Sequence, residues 1–112
     1  MKGTHLGEFE ELVLLTIAIL QDEAYGLAIQ KEMERQSGRS ISIGAVHASC
    51  NRLEEKAFLD ARYSEASQKR GGKRKKLYTV TYAGQRALTQ VRDLRQSLWE
   101  QIPKTVFPVK LT

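Results

Sequence analysis

The sequence predicts a mainly α-helical fold with one small β-hairpin and a long C-terminal helix. Three observations carry this. Apolar residues recur at helical spacing over Phe9–Leu20, Tyr25–Met33 and Ala87–Ile102. A helix with few charges at its start, Gly44 to Lys56, runs into the apolar pair Phe58-Leu59. A polar loop crowded with positive charge, Lys69-Arg70-Gly71-Gly72-Lys73-Arg74-Lys75-Lys76, then precedes a second strand, Leu77-Tyr78-Thr79-Val80. Helix, strand, basic tip and strand in this order make the layout of a winged helix-turn-helix. Residues 1–80 are expected to form that unit, and residues 81–112 a dimerisation helix with an irregular tail.

The first helix shows Phe9, Leu12, Val13, Thr16, Ile17 and Leu20 at helical spacing, with Leu14, Leu15 and Ile19 on its other faces. A helix apolar almost all round is covered on more than one side. In a short chain the second cover is expected from a partner subunit. Gln21-Asp22-Glu23 breaks the pattern, and Asp22 or Glu23 is expected to cap the second helix. That helix carries Tyr25, Ala28, Ile29 and Met33 on one face and ends at Ser37-Gly38, where glycine suits a left-handed cap. Arg39 to Ile43 alternates and reads as extended. Ser42 is the expected cap of the third helix, with Val46, Cys50 and Leu53 inward. Ala45, His47, Ala48, Ser49, Asn51 and Arg52 are expected outward. Phe58–Tyr63 and Arg74–Val80 form the hairpin. Thr81 caps a fourth helix whose stripe is Ala87, Val91, Leu94, Leu98 and Ile102, and Pro103 ends it.

Composition narrows the function. At 112 residues and 41% hydrophobic, the chain supports one core and no catalytic cleft between domains. No apolar run approaches the ~20 residues of a membrane span. The single cysteine, Cys50, excludes an internal disulfide and a cysteine-based zinc site, and a reducing cytoplasm is the expected location. His5 and His47 lack convergent ligands, so neither a metal nor a cofactor is expected. No nucleophile–base–orienter set can be assembled. Glu8, Glu10, Glu11, Glu32 and Glu34 are read as lying on solvated helix faces, and the chain is not expected to be an enzyme.

Charge is unevenly spread. Residues 62–76 hold seven basic side chains against Glu65 alone, whereas residues 1–35 hold three basic against seven acidic. A cationic hairpin beside a helix whose start is small and polar fits duplex DNA, with phosphates on the loop and base edges at the helix. The candidate DNA contacts are therefore Ser42, Ala45, His47, Ser49, Asn51 and Arg52 on or before the helix, and Lys69, Arg70, Lys73, Arg74 and Lys75 on the wing. Glu54-Glu55 should point away from phosphate. The fourth helix is left over once the core closes, and a second copy of the chain is the simplest cover for it. The candidate dimer contacts are Phe9, Val91, Leu94, Leu98 and Ile102.

Leu6-Gly7-Glu8-Phe9-Glu10, Tyr25-Gly26 with Ile29, the block from Ser42 to Leu59, and Lys76-Leu77-Tyr78-Thr79-Val80-Thr81-Tyr82-Ala83-Gly84 resemble the PadR family of bacterial transcriptional regulators. The resemblance covers roughly residues 5–100 and rests on four pieces in the right order. It implies a winged-helix N-terminal domain, a homodimer held by the C-terminal helix, and repression through a pseudo-palindromic operator. With a single C-terminal helix, the chain is similar to the compact subgroup. Some compact members bind flat aromatic ligands at the dimer interface, so the resemblance makes Trp99 a candidate stacking residue for a small aromatic effector. The chain departs from the family pattern at His47, Ala48, Cys50 and Ala57, where tyrosine, proline, leucine and glycine are common. A winged helix used for protein or double-stranded RNA contact, without operator specificity, is the alternative reading.

Overall fold

The computed structural model describes residues 5–65, 74–107 and 109. Helix α1 spans Glu8–Leu20 and is followed by a 3-10 turn at Gln21–Glu23. Helices α2 (Gly26–Ser37) and α3 (Ile43–Glu55) come next, then strands β1 (Leu59–Tyr63) and β2 (Lys76–Val80), and finally α4 (Tyr82–Gln101). The strands pair antiparallel, Leu59 opposite Val80 and Tyr63 opposite Lys76. The Ala24 carbonyl also accepts from the Tyr78 N–H at 2.9 Å, which ties the turn before α2 to the hairpin.

Local chemistry sets the boundaries. Ser42 Oγ accepts from the Ala45 N–H at 2.9 Å and starts α3. Thr81 Oγ1 does the same for the Gly84 N–H at 3.0 Å and starts α4. Gly38 closes α2 at φ 70°, the left-handed cap expected of it. The expected caps of α2 fail: Asp22 and Glu23 are spent in the 3-10 turn, and Tyr25 precedes α2 without a side-chain cap.

The core is formed by Val13, Leu14 and Ile17 of α1, Ile29 and Met33 of α2, Val46, Cys50 and Leu53 of α3, and Phe58, Leu59 and Tyr78 of the hairpin. On α1 the buried face is turned from the one the spacing suggested. Leu14 is fully buried, whereas Leu12, Leu15 and Ile19 are exposed. Glu10 is also a correction. Its carboxylate is buried, not solvated, and accepts from Lys56 Nζ at 2.8 Å, from Arg52 Nε at 3.3 Å and from the Gly7 N–H at 2.8 Å. This ion cluster ties the start of α1 to the end of α3.

Helix α4 packs its first half onto the domain. Ala87, Leu88 and Val91 lie half-buried against the core, and Arg95 pairs with Glu11 of α1 at 3.0 Å. Gly84 is needed at the joint. A Cβ there would stand 2.4 Å from the Phe58 carbonyl oxygen, so no other residue lets α4 approach the hairpin this closely.

Candidate nucleic-acid interface

The outer face of α3 carries Gly44, Ala45, His47, Ala48, Asn51 and Arg52, all exposed. The small residues leave the backbone of its first two turns open to close approach. His47 lies against the start of α2. A Cβ on Gly26 would meet its Cε1 at 2.7 Å, so Gly26 is what allows the imidazole to rest there.

A groove of about 460 Å³ opens beside this face, lined by Tyr25, Gly26, Leu27, His47, Asn51, Lys75, Lys76 and Tyr78. Three kinds of donor meet in it. The first turn of α2, which has no side-chain cap for its free N–H groups, contributes Gly26 and Leu27 to the lining. Lys75 Nζ sits 4.1 Å from the centre of the Tyr25 ring. Lys76 Nζ donates to Glu54 Oε1 at 2.8 Å, and that hydrogen bond, opposed by partial burial, raises its pKa. Lys76 is therefore a held cation, and Lys75 and Arg74 are exposed ones.

The candidate residues fare differently. Ala45, His47 and Asn51 stand on the open face, and Ser42 sits at its edge with its hydroxyl used as the helix cap. Ser49 is a correction. Expected outward, it is fully buried, and its hydroxyl accepts from Arg52 Nη2 at 3.1 Å. The inward stripe of α3 is wider than Val46, Cys50 and Leu53, and Ser49 belongs to it. Arg52 is half-exposed but folded back onto Glu10 and Ser49. Lys69, Arg70 and Lys73 lie outside the described residues. Tyr25 and Lys76 were not foreseen. The signal for Tyr25 was its neighbour Gly26, a glycine at a helix start where nothing local demands one.

Cys50 is a packing residue. Burial and the nearby Glu54 charge push its thiol up to about 11, so the nucleophilic thiolate is absent near neutrality. Among the described residues, no group of three or more His, Cys, Asp or Glu side chains is placed to hold a metal, and no helix is long and apolar enough to cross a membrane.

Of the candidate dimer contacts, Phe9 and Val91 already pack against the chain's own core. Ile102 is half-buried, and Leu94 and Leu98 are 61% and 55% exposed. Trp99 is also exposed, with its ring 6.4 Å from that of Phe107 and tilted 56° to it.

A three-helix core, a hairpin wing and an open third helix beside a cationic groove define a winged helix-turn-helix protein. The model of the transcriptional regulator PadR-like family matches residues 14–90, and the chain belongs to that family. Its members are transcriptional regulators, not enzymes. A PadR family regulator from Eggerthella lenta is similar in structure, with a TM-score of 0.66, 26% identity, and coverage of 88% of this chain and 86% of that one. A PadR-like transcription factor from Bacteroides fragilis gives a TM-score of 0.67 at 22% identity, over 82% of this chain and 84% of that one. The fold also matches a part of the Aeropyrum pernix ORC1 protein in complex with DNA, with a TM-score of 0.61 and 18% identity over 83% of this chain and 26% of that one. No curated protein matched the chain.

Proposed function

We propose that this chain is a homodimeric, DNA-binding repressor that lays α3 in the major groove of a pseudo-palindromic operator. The observation that carries the reading is the groove between α2, α3 and β2. Asn51 and His47 line it together with Lys75 and the first turn of α2, which supports a division of labour in which the first two read base edges and the others bind phosphate. Arg74 extends the cationic edge, and Ser42 and Ala45 allow the start of α3 to approach the groove floor. Lys69, Arg70 and Lys73 would add charge at the wing. Arg52 orients the face through Ser49 and Glu10. Family membership supports the regulator reading, and the ORC1 likeness supports the fold alone.

The second subunit is assigned to the apolar surface formed by Leu94, Leu98 and, on α1, Leu15 and Ile19, with Phe9, Val91 and Ile102 at its margins. Trp99 borders that surface and offers an indole face to a flat aromatic effector.

The test is a duplex-binding titration from about 50 to 200 mM salt, using fragments selected from the host genome. A repressor loses affinity steeply with salt, and Arg74→Ala or Lys75→Ala lowers the slope by about 0.9 per lost phosphate contact on every sequence. Asn51→Ala instead changes which sequence is preferred, at ~1–3 kcal/mol per base contact. Salt-insensitive capture of a protein would favour an interaction module.

A further inference from the structure

Residues of α1, α2 and the turn between α2 and α3 line a second, open-mouthed cavity of about 230 Å³. Leu12, Met33 and Ile41 give it apolar walls. Its neutral polar groups are already engaged. Thr16 Oγ1 donates to the Leu12 carbonyl at 2.7 Å, Gln36 Nε2 donates to Glu32 at 2.8 Å, and Ser37 Oγ accepts from the Arg39 N–H at 3.1 Å. Arg39 is the exception. This exposed residue also lines the cavity, and its guanidinium makes no ion pair among the described residues. The turn that carries it is pinned in place, since Ile41 donates its N–H to Glu34 at 2.9 Å and accepts from Gln30 at 2.8 Å.

We infer that this cavity binds a small carboxylic acid with a short apolar body. The body lies against Leu12, Met33 and Ile41, and the carboxylate pairs with Arg39, whose planar fork suits it. The cavity is smaller than the ~300–1,000 Å³ that drug-sized ligands occupy, so a short chain or a single ring fits and a fused polycycle does not. The cavity wall also touches the start of α3. Ile41 immediately precedes Ser42, the cap of that helix, so an occupant presses on the segment that sets where α3 begins. Control of DNA affinity through this segment rests on the function proposed above. The binding site itself does not.

The test uses hexanoate as the probe and hexanol as its neutral counterpart, each titrated into the full chain while backbone amide shifts are followed. Hexanoate should move Thr16, Met33, Ile41 and Ser42, and bind at least several-fold more tightly than hexanol. Arg39→Gln should weaken hexanoate about tenfold, the loss of one charge-assisted pair, and leave hexanol unchanged. Ser37→Phe, at an exposed position on the cavity rim, should block both. If that variant fails to fold, the Arg39→Gln comparison decides alone. Equal affinity for acid and alcohol would overturn the inference, as would shifts confined to α4, or shifts at the cavity that follow protein concentration rather than ligand. Cavity shifts by hexanoate with no change in duplex affinity would overturn only the control of α3. A chain that binds hexanoate but no duplex would instead refute the proposed function.

Discussion

Ala57 adopts φ 63° between α3 and β1, a left-handed conformation that crowds its Cβ against the backbone. The position still works because the Ala57 carbonyl accepts from Thr81 Oγ1 and its N–H reaches the Glu54 carbonyl. Ala57→Gly should therefore raise stability by about 1 kcal/mol, the strain relieved less the extra freedom of the unfolded glycine, as read by urea unfolding. No gain would mean the bonds around the turn already absorb the strain. Cys50 gives a second residue-scale outcome. With its thiol at about 11 and no exposed surface, it should resist iodoacetamide in the native protein and react promptly in urea. Rapid native alkylation would reveal opening between α3 and the hairpin.

Among the elements, the α1–α3 tie through Glu10 has a pH signature. Burial raises the pKa of its carboxyl, but the Lys56 hydrogen bond and charge, the Gly7 N–H and Arg52 together outweigh this and lower it below the usual 4.5. A depressed carboxylate stabilises the fold fully above its ordinary value, and that stability is lost as pH falls through the lowered one. Acid unfolding of the native chain should therefore steepen below about pH 4.5, and Glu10→Gln should flatten that limb. An unchanged acid limb would place the tie's stability elsewhere. The same cluster shows what sequence could reveal. All four helices, the hairpin, and the caps at Ser42 and Thr81 were legible, because periodicity and capping are local signals. Glu10 was not, because its partners Arg52 and Lys56 lie 42 and 46 residues away. Ser49 was misread for a related reason. A hydroxyl suggests an outward residue, yet its small size lets it sit beside Cys50 once Arg52 satisfies it. The wing cations between residues 66 and 73 remain a sequence reading only.

For the whole molecule, Leu94 and Leu98 on α4 and Leu15 and Ile19 on α1 leave large apolar side chains exposed. Leu94→Asp with Leu98→Asp should yield monomer by sedimentation and abolish tight duplex binding. A double variant that stays dimeric would place the subunit contact elsewhere. The seating of α4 at Gly84 carries a mechanical consequence. Twenty residues of helix make a rod of about 30 Å, hinged where its first turn of backbone touches the Phe58 carbonyl. Tilting such a rod by roughly ten degrees at the fulcrum carries its far end on the order of 5 Å. A methyl group added at Gly84 would thus act as a wedge under a lever, and its effect would be felt most at Leu98 and Trp99, where the displacement is largest.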